Sequence, residues 1–278
     1  MRDTSNADVN YEVEYNNRAR VPENPAIIAG WSRDAKVYRE AEKDRLNVIA
    51  YGAGERQKID LFSGGGTGPI VVFIHGGYWQ ALDASFFSHL AGGLNAHGID
   101  VAVPGYDLCP TVSVGDIIEQ MRAASRVLAK FGRPLVVSGH SAGAHLAACL
   151  LATDWRAFDR SLPEELVTAA YAISGLFDLR PLVKTSINNA LKLDDASAKA
   201  VSPLFWKPPA RGTLDAVVGG NESAEYFRQS RTIVDAWGAT DIATSYATAP
   251  DANHFTVIAS LADPGSAMTL RLKQLAGR

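Results

Sequence analysis

Short apolar segments alternate with stretches of helical spacing over most of the chain, from Leu46 onward. The later apolar segments are rich in Val and do not alternate with polar residues, a pattern typical of strands buried on both faces of a parallel sheet. The predicted strands are Asn47–Tyr51, Gln57–Phe62, Ile70–His75, Asp100–Pro104, Leu135–Ser138, Ala169–Ser174 and Leu214–Val218, with Thr244–Ala247 as a last strand. The predicted helices are Phe86–His97, Val114–Phe131, Ala142–Ala152 and Ala224–Trp237.

The order of these elements predicts the fold class. The first two strands lie too close together for a helix between them, so we expect them to pair as an antiparallel hairpin. The later strands alternate with helices, which predicts an α/β fold with a mostly parallel central sheet and helices on both faces. We expect residues 1–278 to form one such domain, with its ligand site at the carboxyl ends of the strands.

Two segments lie outside this alternation. Residues 1–45 are polar and aromatic, and we expect them to form an N-terminal extension that packs near the site. Residues from about 180 to 204 separate two predicted strands and are expected to form a small lid. Together with the loops at the strand ends, these segments would supply the walls of the substrate pocket.

Composition excludes several classes of function. The chain is 47% hydrophobic and 21% charged with a formal net charge of -3, which is ordinary for a globular protein and argues against nucleic acid as a partner. The two cysteines, Cys109 and Cys149, have apolar neighbours and are predicted to be core residues of a protein from a reduced compartment. The polar start resembles no secretory signal and no apolar run is long enough to span a bilayer, so a cytoplasmic protein without membrane contact is expected. The sequence leaves open whether the chain forms a homodimer.

The strongest chemical signal is the pentapeptide Gly139-His140-Ser141-Ala142-Gly143. It follows an apolar strand and precedes a helix, so Ser141 would lie on a sharp turn that exposes its hydroxyl at the sheet edge. The flanking glycines let the strand and the helix approach each other closely. Ala142 begins the helix, where its N–H has no partner within the helix and can donate to a developing oxyanion.

A second signal, His75-Gly76-Gly77-Tyr78-Trp79, follows the strand that begins at Ile70. Its two glycines allow the main chain to aim the N–H groups of Gly77 and Tyr78 at an oxyanion. We expect His75 to hold this loop by hydrogen bonding. Tyr78 and Trp79 would border the substrate pocket, and burial of these aromatics in the core is the alternative.

A serine hydroxyl needs a base, and the base needs an orienting group. Among the six histidines only His254 follows Ser141 outside the elbow itself, which agrees with the chain order serine, acid, histidine. Glu222, after an apolar strand and the turn Gly219-Gly220, is the predicted acid. Asp178 and Asp251 compete with it, the first as a turn carboxylate and the second too close to His254 along the chain.

These motifs resemble the kynurenine formamidase (arylformamidase)-like branch of the α/β-hydrolases. The resemblance covers nearly the whole chain and rests on Tyr15–Arg18, His75–Trp79, Gly139–Leu146, Ser174–Leu179, Val218–Ser230 and His254-Phe255. It implies the α/β-hydrolase fold and hydrolysis of an aryl formamide. The eukaryotic formamidases hold Asp at the position of Glu222, and Glu is an accepted substitute for orienting the base. Phe177 falls in one matching stretch and is expected to line the substrate pocket.

The residues favour a serine hydrolase that acts on a small molecule and requires no metal or organic cofactor. Cleavage of a small aryl formamide, such as an N-formylkynurenine-like amide, is the preferred hypothesis. A carboxylesterase for small acyl esters is the alternative, because the same serine, acid and histidine serve both reactions. A ligand-binding protein without catalysis is the third hypothesis, and it would not need an intact set of these three residues.

Overall fold

Strands and helices alternate along the chain in the computed structural model, which describes residues 9–277. Within that range the strands are β1 Leu46–Ala50, β2 Lys58–Phe62, β3 Ile70–Ile74, β4 Val101–Pro104, β5 Leu135–His140, β6 Val167–Ile173, β7 Thr213–Gly219 and β8 Ala243–Ala249. The α-helices are α1 Tyr11–Tyr15, α2 Asn17–Arg20, α3 Asn24–Ala41, α4 Ala91–Asn95, α5 Val114–Ala129, α6 Ala142–Leu151, α7 Trp155–Phe158, α8 Asn188–Leu191, α9 Asp195–Ala200, α10 Ala224–Gly238 and α11 Ala267–Leu275. Short 3₁₀-helices cover Lys43–Arg45, Ala84–Phe86, Ser88–Leu90, Arg180–Lys184, Pro203–Phe205 and Ala259–Ala262.

The strands form one sheet in the order β1-β2-β4-β3-β5-β6-β7-β8. β1 and β2 pair as the predicted antiparallel hairpin, and β2 also runs antiparallel to β4. All pairs from β4 to β8 are parallel. The predicted fold class, a mostly parallel sheet of the α/β-hydrolase type, is therefore confirmed.

The central strands β3 to β7 are buried on both faces, as their Val-rich sequences predict. Along β3, Ile70, Val72 and Ile74 enter one hydrophobic core, while Val71 and Phe73 enter the other. This division follows from the period of two along a strand. Residues of α5, α6 and α10 cover the first face, and residues of α3, α4 and α11 cover the second. Cys109 and Cys149 are free, buried thiols, in agreement with their predicted place in the core.

The prediction of one helix over Phe86–His97 is wrong. Two 3₁₀ turns precede the short helix α4, which ends at Asn95. The sequence explains this, because α4 contains Gly92 and Gly93, which have low helix propensity. Gly98, with φ of 74°, then adopts a left-handed conformation that terminates helices.

The N-terminal extension crosses the edge of the sheet at which the parallel strands end. Tyr15 packs in one hydrophobic core and Trp31 in the other. Between β6 and β7, the segment expected to be a lid contains the helices α8 and α9. The extension contacts this segment where the carboxylate of Glu12 accepts hydrogen bonds from the N–H and the hydroxyl of Ser186, both at 2.7 Å. No helix in residues 9–277 is long and apolar enough to cross a membrane.

Candidate active site

Ser141 occupies the turn between β5 and α6 with φ of 56° and ψ of −117°. This strained conformation is held because the Ser141 N–H donates to the carbonyl of Ile173 at 2.8 Å. The glycines around it are required by packing, since a Cβ on Gly143 would lie 1.9 Å from the carbonyl oxygen of Ile74. A Cβ on Gly139 would lie 2.2 Å from the carbonyl oxygen of Gly143. Glycine at position 143 therefore lets the elbow pack against β3, and glycine at position 139 lets α6 fold back closely on its own strand.

The loop after β3 lies directly against the elbow. Gly77 has φ of 112° and Tyr78 has φ of 50°. A Cβ on Gly77 would lie 2.2 Å from the carbonyl oxygen of Ala81, and one on Gly76 would lie 3.0 Å from the Cβ of Ser141. Within residues 9–277, the N–H groups of Gly77 and Tyr78 donate to no protein acceptor. They are available as oxyanion donors, together with the first N–H of α6.

His75 supports this loop from within the core. Its imidazole stacks on Tyr106, with ring centroids 4.2 Å apart, and its Nδ1 lies 2.7 Å from the carbonyl oxygen of Gly76. Burial lowers the pKa of His75 to about 4, so the neutral ring donates its Nδ1 proton to that carbonyl. The Tyr106 hydroxyl donates to the His75 carbonyl at 2.9 Å. His75 is thus a structural residue of the loop, as its position at the strand end predicted.

Glu222 and His254 form a buried pair beside Ser141. The distance from His254 Nδ1 to Glu222 Oε2 is 2.7 Å, and the two residues are 5% and 8% exposed. The other carboxylate oxygen of Glu222 accepts from the Gly219 N–H at 2.7 Å and from the hydroxyl of Ser174. These donors fix the carboxylate in place. With Nδ1–H directed at Glu222, the Nε2 atom of His254 is left as an acceptor for a proton.

The competing carboxylates lie elsewhere. Asp178 is held by the guanidinium of Arg180 at 2.9 and 2.8 Å and caps the backbone of the same turn. Asp251 is exposed on the loop before His254, where φ of 60° marks a tight turn. Among the three candidate acids, the structure brings only Glu222 to the imidazole.

A cavity of about 410 Å³ opens above Ser141 and His254. This volume is in the range of small-molecule sites. The loop after β3, the extension and the segment between β6 and β7 all contribute to its walls. The lining residues are Glu12, Tyr15, Asn16, Asn17, Arg18, Ile28, Trp31, Gly77, Tyr78, Gln80, Ala81, Leu82, His140, Ser141, Ser186, Ile187, His254 and Phe255.

Two of the three side chains expected to line the pocket do not do so. Tyr78 lines the cavity, but Trp79 is completely buried and its indole packs edge-on against the ring of His145 at 5.0 Å. Phe177 is also completely buried, and its N–H donates to the side chain of Gln229. The positive φ at Trp79, 56°, reverses the chain and turns the indole into the core. Tyr15, Trp31 and Phe255 are the aromatic residues that line the cavity with Tyr78.

Comparison with known proteins agrees with this architecture. The sequence model of the alpha/beta hydrolase family matches residues 71–277. Kynurenine formamidase from Salmo salar is 32% identical over 245 residues, which cover 84% of this chain and 82% of that protein. Kynurenine formamidase from Drosophila melanogaster is 30% identical over 273 residues, which cover 91% and 90%. The chain belongs to the kynurenine formamidase-like branch of the alpha/beta hydrolases.

A crystal structure of a candidate thioesterase from Silicibacter sp. TM1040 superposes on this α/β-hydrolase with a TM-score of 0.82. The two sequences are 36% identical, and the match covers 94% of this chain and 98% of that one. The names of these relatives place the chain among hydrolases of amides and esters. The predicted family is confirmed.

The sequence analysis missed a group of polar contacts at the floor of this hydrolase's cavity. The amide nitrogen of Asn17 donates to the Tyr226 hydroxyl at 2.7 Å and to the Tyr78 hydroxyl at 3.2 Å. The Tyr226 ring lies against the His254 ring, with centroids 4.5 Å apart. Tyr226 follows Glu222 by four positions, but nothing in its spacing distinguishes it from an ordinary core tyrosine of α10.

His140, next to Ser141, also contacts the base. Its ring lies 4.7 Å from the ring of His254 and lines the cavity. Burial lowers the pKa of His140 well below its usual value, and the neighbouring His254 acts in the same direction. His140 therefore stays neutral, and it places no fixed charge beside the imidazolium that His254 would become.

Proposed function

We propose that the protein hydrolyses a small aryl formamide, such as an N-formylkynurenine-like amide, through an acyl-enzyme on Ser141. One observation carries this proposal: the buried Glu222–His254 pair, joined at 2.7 Å, lies beside a serine on a strained elbow at the floor of the cavity. This arrangement meets the needs of a nucleophile, a base and an orienting acid.

The choice of an aryl formamide rests on two further observations. The curated relatives named above are kynurenine formamidases and align with most of this chain. The cavity also suits an aromatic leaving group, because Ile28, Trp31 and Phe255 line it and the Phe255 ring lies 5.9 Å from that of His254. Aromatic surfaces of this kind bind an aryl ring by stacking and by apolar burial.

The proposed reaction begins when Ser141 Oγ attacks the formyl carbon and His254 Nε2 takes the hydroxyl proton. The carbonyl oxygen becomes an oxyanion and accepts hydrogen bonds from the N–H groups of Gly77, Tyr78 and Ala142, each worth roughly 3 kcal/mol. His254 then gives its proton to the amide nitrogen, the C–N bond breaks and the arylamine leaves. Water, activated by His254, attacks the formyl-enzyme, and formate and free Ser141 result.

Hydrolysis of small esters is the second candidate, and the similarity to the candidate thioesterase favours it. Thiolates and activated alkoxides leave without help, whereas an amine leaves only when it has been protonated. An esterase would therefore depend less on the proton that His254 delivers.

Measuring kcat/KM for N-formylkynurenine, for a simple N-formyl anilide and for p-nitrophenyl acetate tests the proposal, with Ser141→Ala as the blank. We expect the formamides to exceed the ester by about 100-fold, equivalent to about 2.7 kcal/mol in transition-state binding. Turnover of the ester without either formamide would contradict the proposal and favour the esterase. Full activity of Ser141→Ala would overturn the assignment of the nucleophile.

A further inference from the structure

Four side chains form a hydrogen-bonded wall beside the nucleophile, and we call them the acyl wall: Tyr15, Asn17, Tyr78 and Tyr226. Tyr15 and Tyr226 are completely buried, and Asn17 is 4% exposed. Asn17, Tyr15 and Tyr78 border the same cavity as Ser141. Tyr226 stands behind them, with its ring against that of His254.

The acyl wall is rigid because the hydroxyl protons of Tyr78 and Tyr226 each have a fixed hydrogen-bond partner. The Tyr78 hydroxyl donates its proton to the carbonyl of Tyr15 at 2.7 Å. The two hydroxyls of Tyr78 and Tyr226 lie 2.6 Å apart, so Tyr226 must be the donor between them. The Tyr226 oxygen in turn accepts from the amide of Asn17 at 2.7 Å. Each hydroxyl proton has one partner, and none of the rings can turn without breaking a buried hydrogen bond.

The wall is also anchored from behind. The Tyr15 hydroxyl donates to Glu225 at 2.6 Å, and the guanidinium of Arg228 holds both carboxylate oxygens of Glu225 at 2.7 Å. Gln229 adds a hydrogen bond to the Tyr15 hydroxyl at 2.9 Å. These contacts tie α1 to α10, the helix that follows Glu222.

Tyr226 places the wall next to His254. Its ring centroid lies 4.5 Å from that of His254, and its hydroxyl is 2.6 Å from the hydroxyl of Tyr78, which borders the same cavity as Ser141. Burial raises the pKa of Tyr226, so this hydroxyl stays protonated at neutral pH.

A carbon attached to Ser141 Oγ carries three other groups in the tetrahedral intermediate. Its oxygen points to the oxyanion donors, and its leaving group points to His254, which must protonate it. The remaining direction is that of the acyl substituent. Tyr15, Asn17 and Tyr78 border the cavity into which such a substituent would extend from Ser141.

We propose that the acyl wall limits the acyl group to one or two carbons and that Asn17 is the specificity-determining residue within it. This inference rests on the proposed acyl-enzyme at Ser141. The family domain matches residues 71–277, whereas Asn17 and Tyr15 belong to the extension. The residue that we propose to set the acyl limit thus lies outside the range matched by the family model.

The test is a series of p-nitrophenyl esters from acetate through butyrate to hexanoate, measured as kcat/KM. In the unmodified protein we expect a fall of about 100-fold from acetate to hexanoate, because each added methylene must displace a packed wall. In Asn17→Ala the fall should shrink to about tenfold or less, through a gain on the longer esters. Asn17→Leu fills the same space without hydrogen bonds and should keep the steep fall. Comparing the Ala and Leu variants therefore distinguishes the effect of side-chain volume from that of the hydrogen bonds.

Val13→Ala on the exposed face of α1 is the matched control and should reproduce the unmodified profile. Thermal unfolding of each variant shows whether it is folded, and Asn17→Ser, which also removes side-chain volume and should also shrink the fall, carries the test if Asn17→Ala is not folded. A flat profile in the unmodified protein, or an unchanged profile in folded Asn17→Ala, would overturn the acyl wall even if formamides are cleaved. A steep profile without formamide cleavage would overturn the proposed function and leave the acyl wall standing. Release of p-nitrophenol from none of the esters would overturn the acyl wall, whereas cleavage of the formamides would leave the proposed function standing.

Discussion

The carboxylate of Glu222 is a charged group that the fold must bury and supply with hydrogen bonds. It is buried, yet it accepts hydrogen bonds from Gly219, Ser174 and His254. These hydrogen bonds offset the cost of burying the carboxylate away from water. An anion at this position fixes the tautomer of His254 and stabilises the imidazolium that forms when Ser141 loses its proton.

Glu222→Gln should keep the size of the side chain and remove its charge. An amide can donate to His254 Nδ1 and so favour the wrong tautomer of the base, and we expect kcat to fall about 10³- to 10⁴-fold. Steady-state kinetics on the preferred substrate measures this change. Asp251→Asn, on the exposed loop before the base, is the matched control and should stay within about twofold. A loss in Glu222→Gln no greater than in Asp251→Asn would exclude Glu222 as the orienting acid.

At the scale of the secondary-structure elements, the contact between the elbow and β3 restricts which residues the chain can carry there. Helix α6 reaches the sheet because Gly143 has no side chain to meet the carbonyl of Ile74. The same close approach places the first N–H of α6 beside the loop after β3. Packing of the elbow and formation of the oxyanion site therefore depend on one backbone contact.

Gly143→Ala should destabilise the protein by about 3 kcal/mol, because the added methyl group overlaps main-chain atoms that cannot move independently. Urea unfolding followed by circular dichroism measures the difference in the free energy of unfolding. Gly30→Ala is the matched control, since a Cβ there lies 3.9 Å from the nearest atom, the end of the Arg33 side chain. In the helix interior, alanine at position 30 should stabilise the protein by about 0.5–1 kcal/mol. Equal stability of the two variants would contradict the packing argument.

At the scale of the whole molecule, three neutral histidines are enclosed in the fold. Burial lowers the pKa of His75 and of His145 to about 4, and lowers that of His140 well below 6.5. The unfolded chain therefore binds protons between pH 6.5 and about 4 that the folded chain does not bind. Above pH 6.5 these histidines do not lower the free energy of unfolding. As the pH falls from 6.5 toward 4, proton binding to the unfolded chain lowers that free energy progressively.

We expect the free energy of unfolding to fall between pH 7 and pH 5, by about 2 kcal/mol for each of these histidines. Urea titrations at several pH values measure the slope. His145→Gln can still donate to the carbonyl of Val201, the partner of His145 Nε2 at 2.7 Å, and it should reduce the slope by about one proton. The same slope in His145→Gln as in the unmodified protein would show that His145 does not contribute.

The sequence by itself determined the order of strands and helices, the antiparallel hairpin and the mostly parallel sheet. These features follow from local causes, namely the period of apolar residues and the short distance between the first two strands. The sequence also placed Ser141 on a strand-turn-helix segment, because glycines on both sides of a serine indicate a turn at which two backbone segments approach too closely for side chains. His254 and Glu222 followed from their position after Ser141 in the chain.

Only the tertiary structure decided which side chains line the cavity. Trp79 and Phe177 turn into the core, although their neighbours Tyr78 and Asp178 take part in hydrogen bonds nearby. Asn17 reaches Tyr226 across 209 positions of sequence. Such contacts depend on how the extension crosses the sheet edge, and no local pattern of residues specifies that path. The periodicity of a chain reports which face of an element is buried, whereas the partner that buries it is set by packing between distant segments.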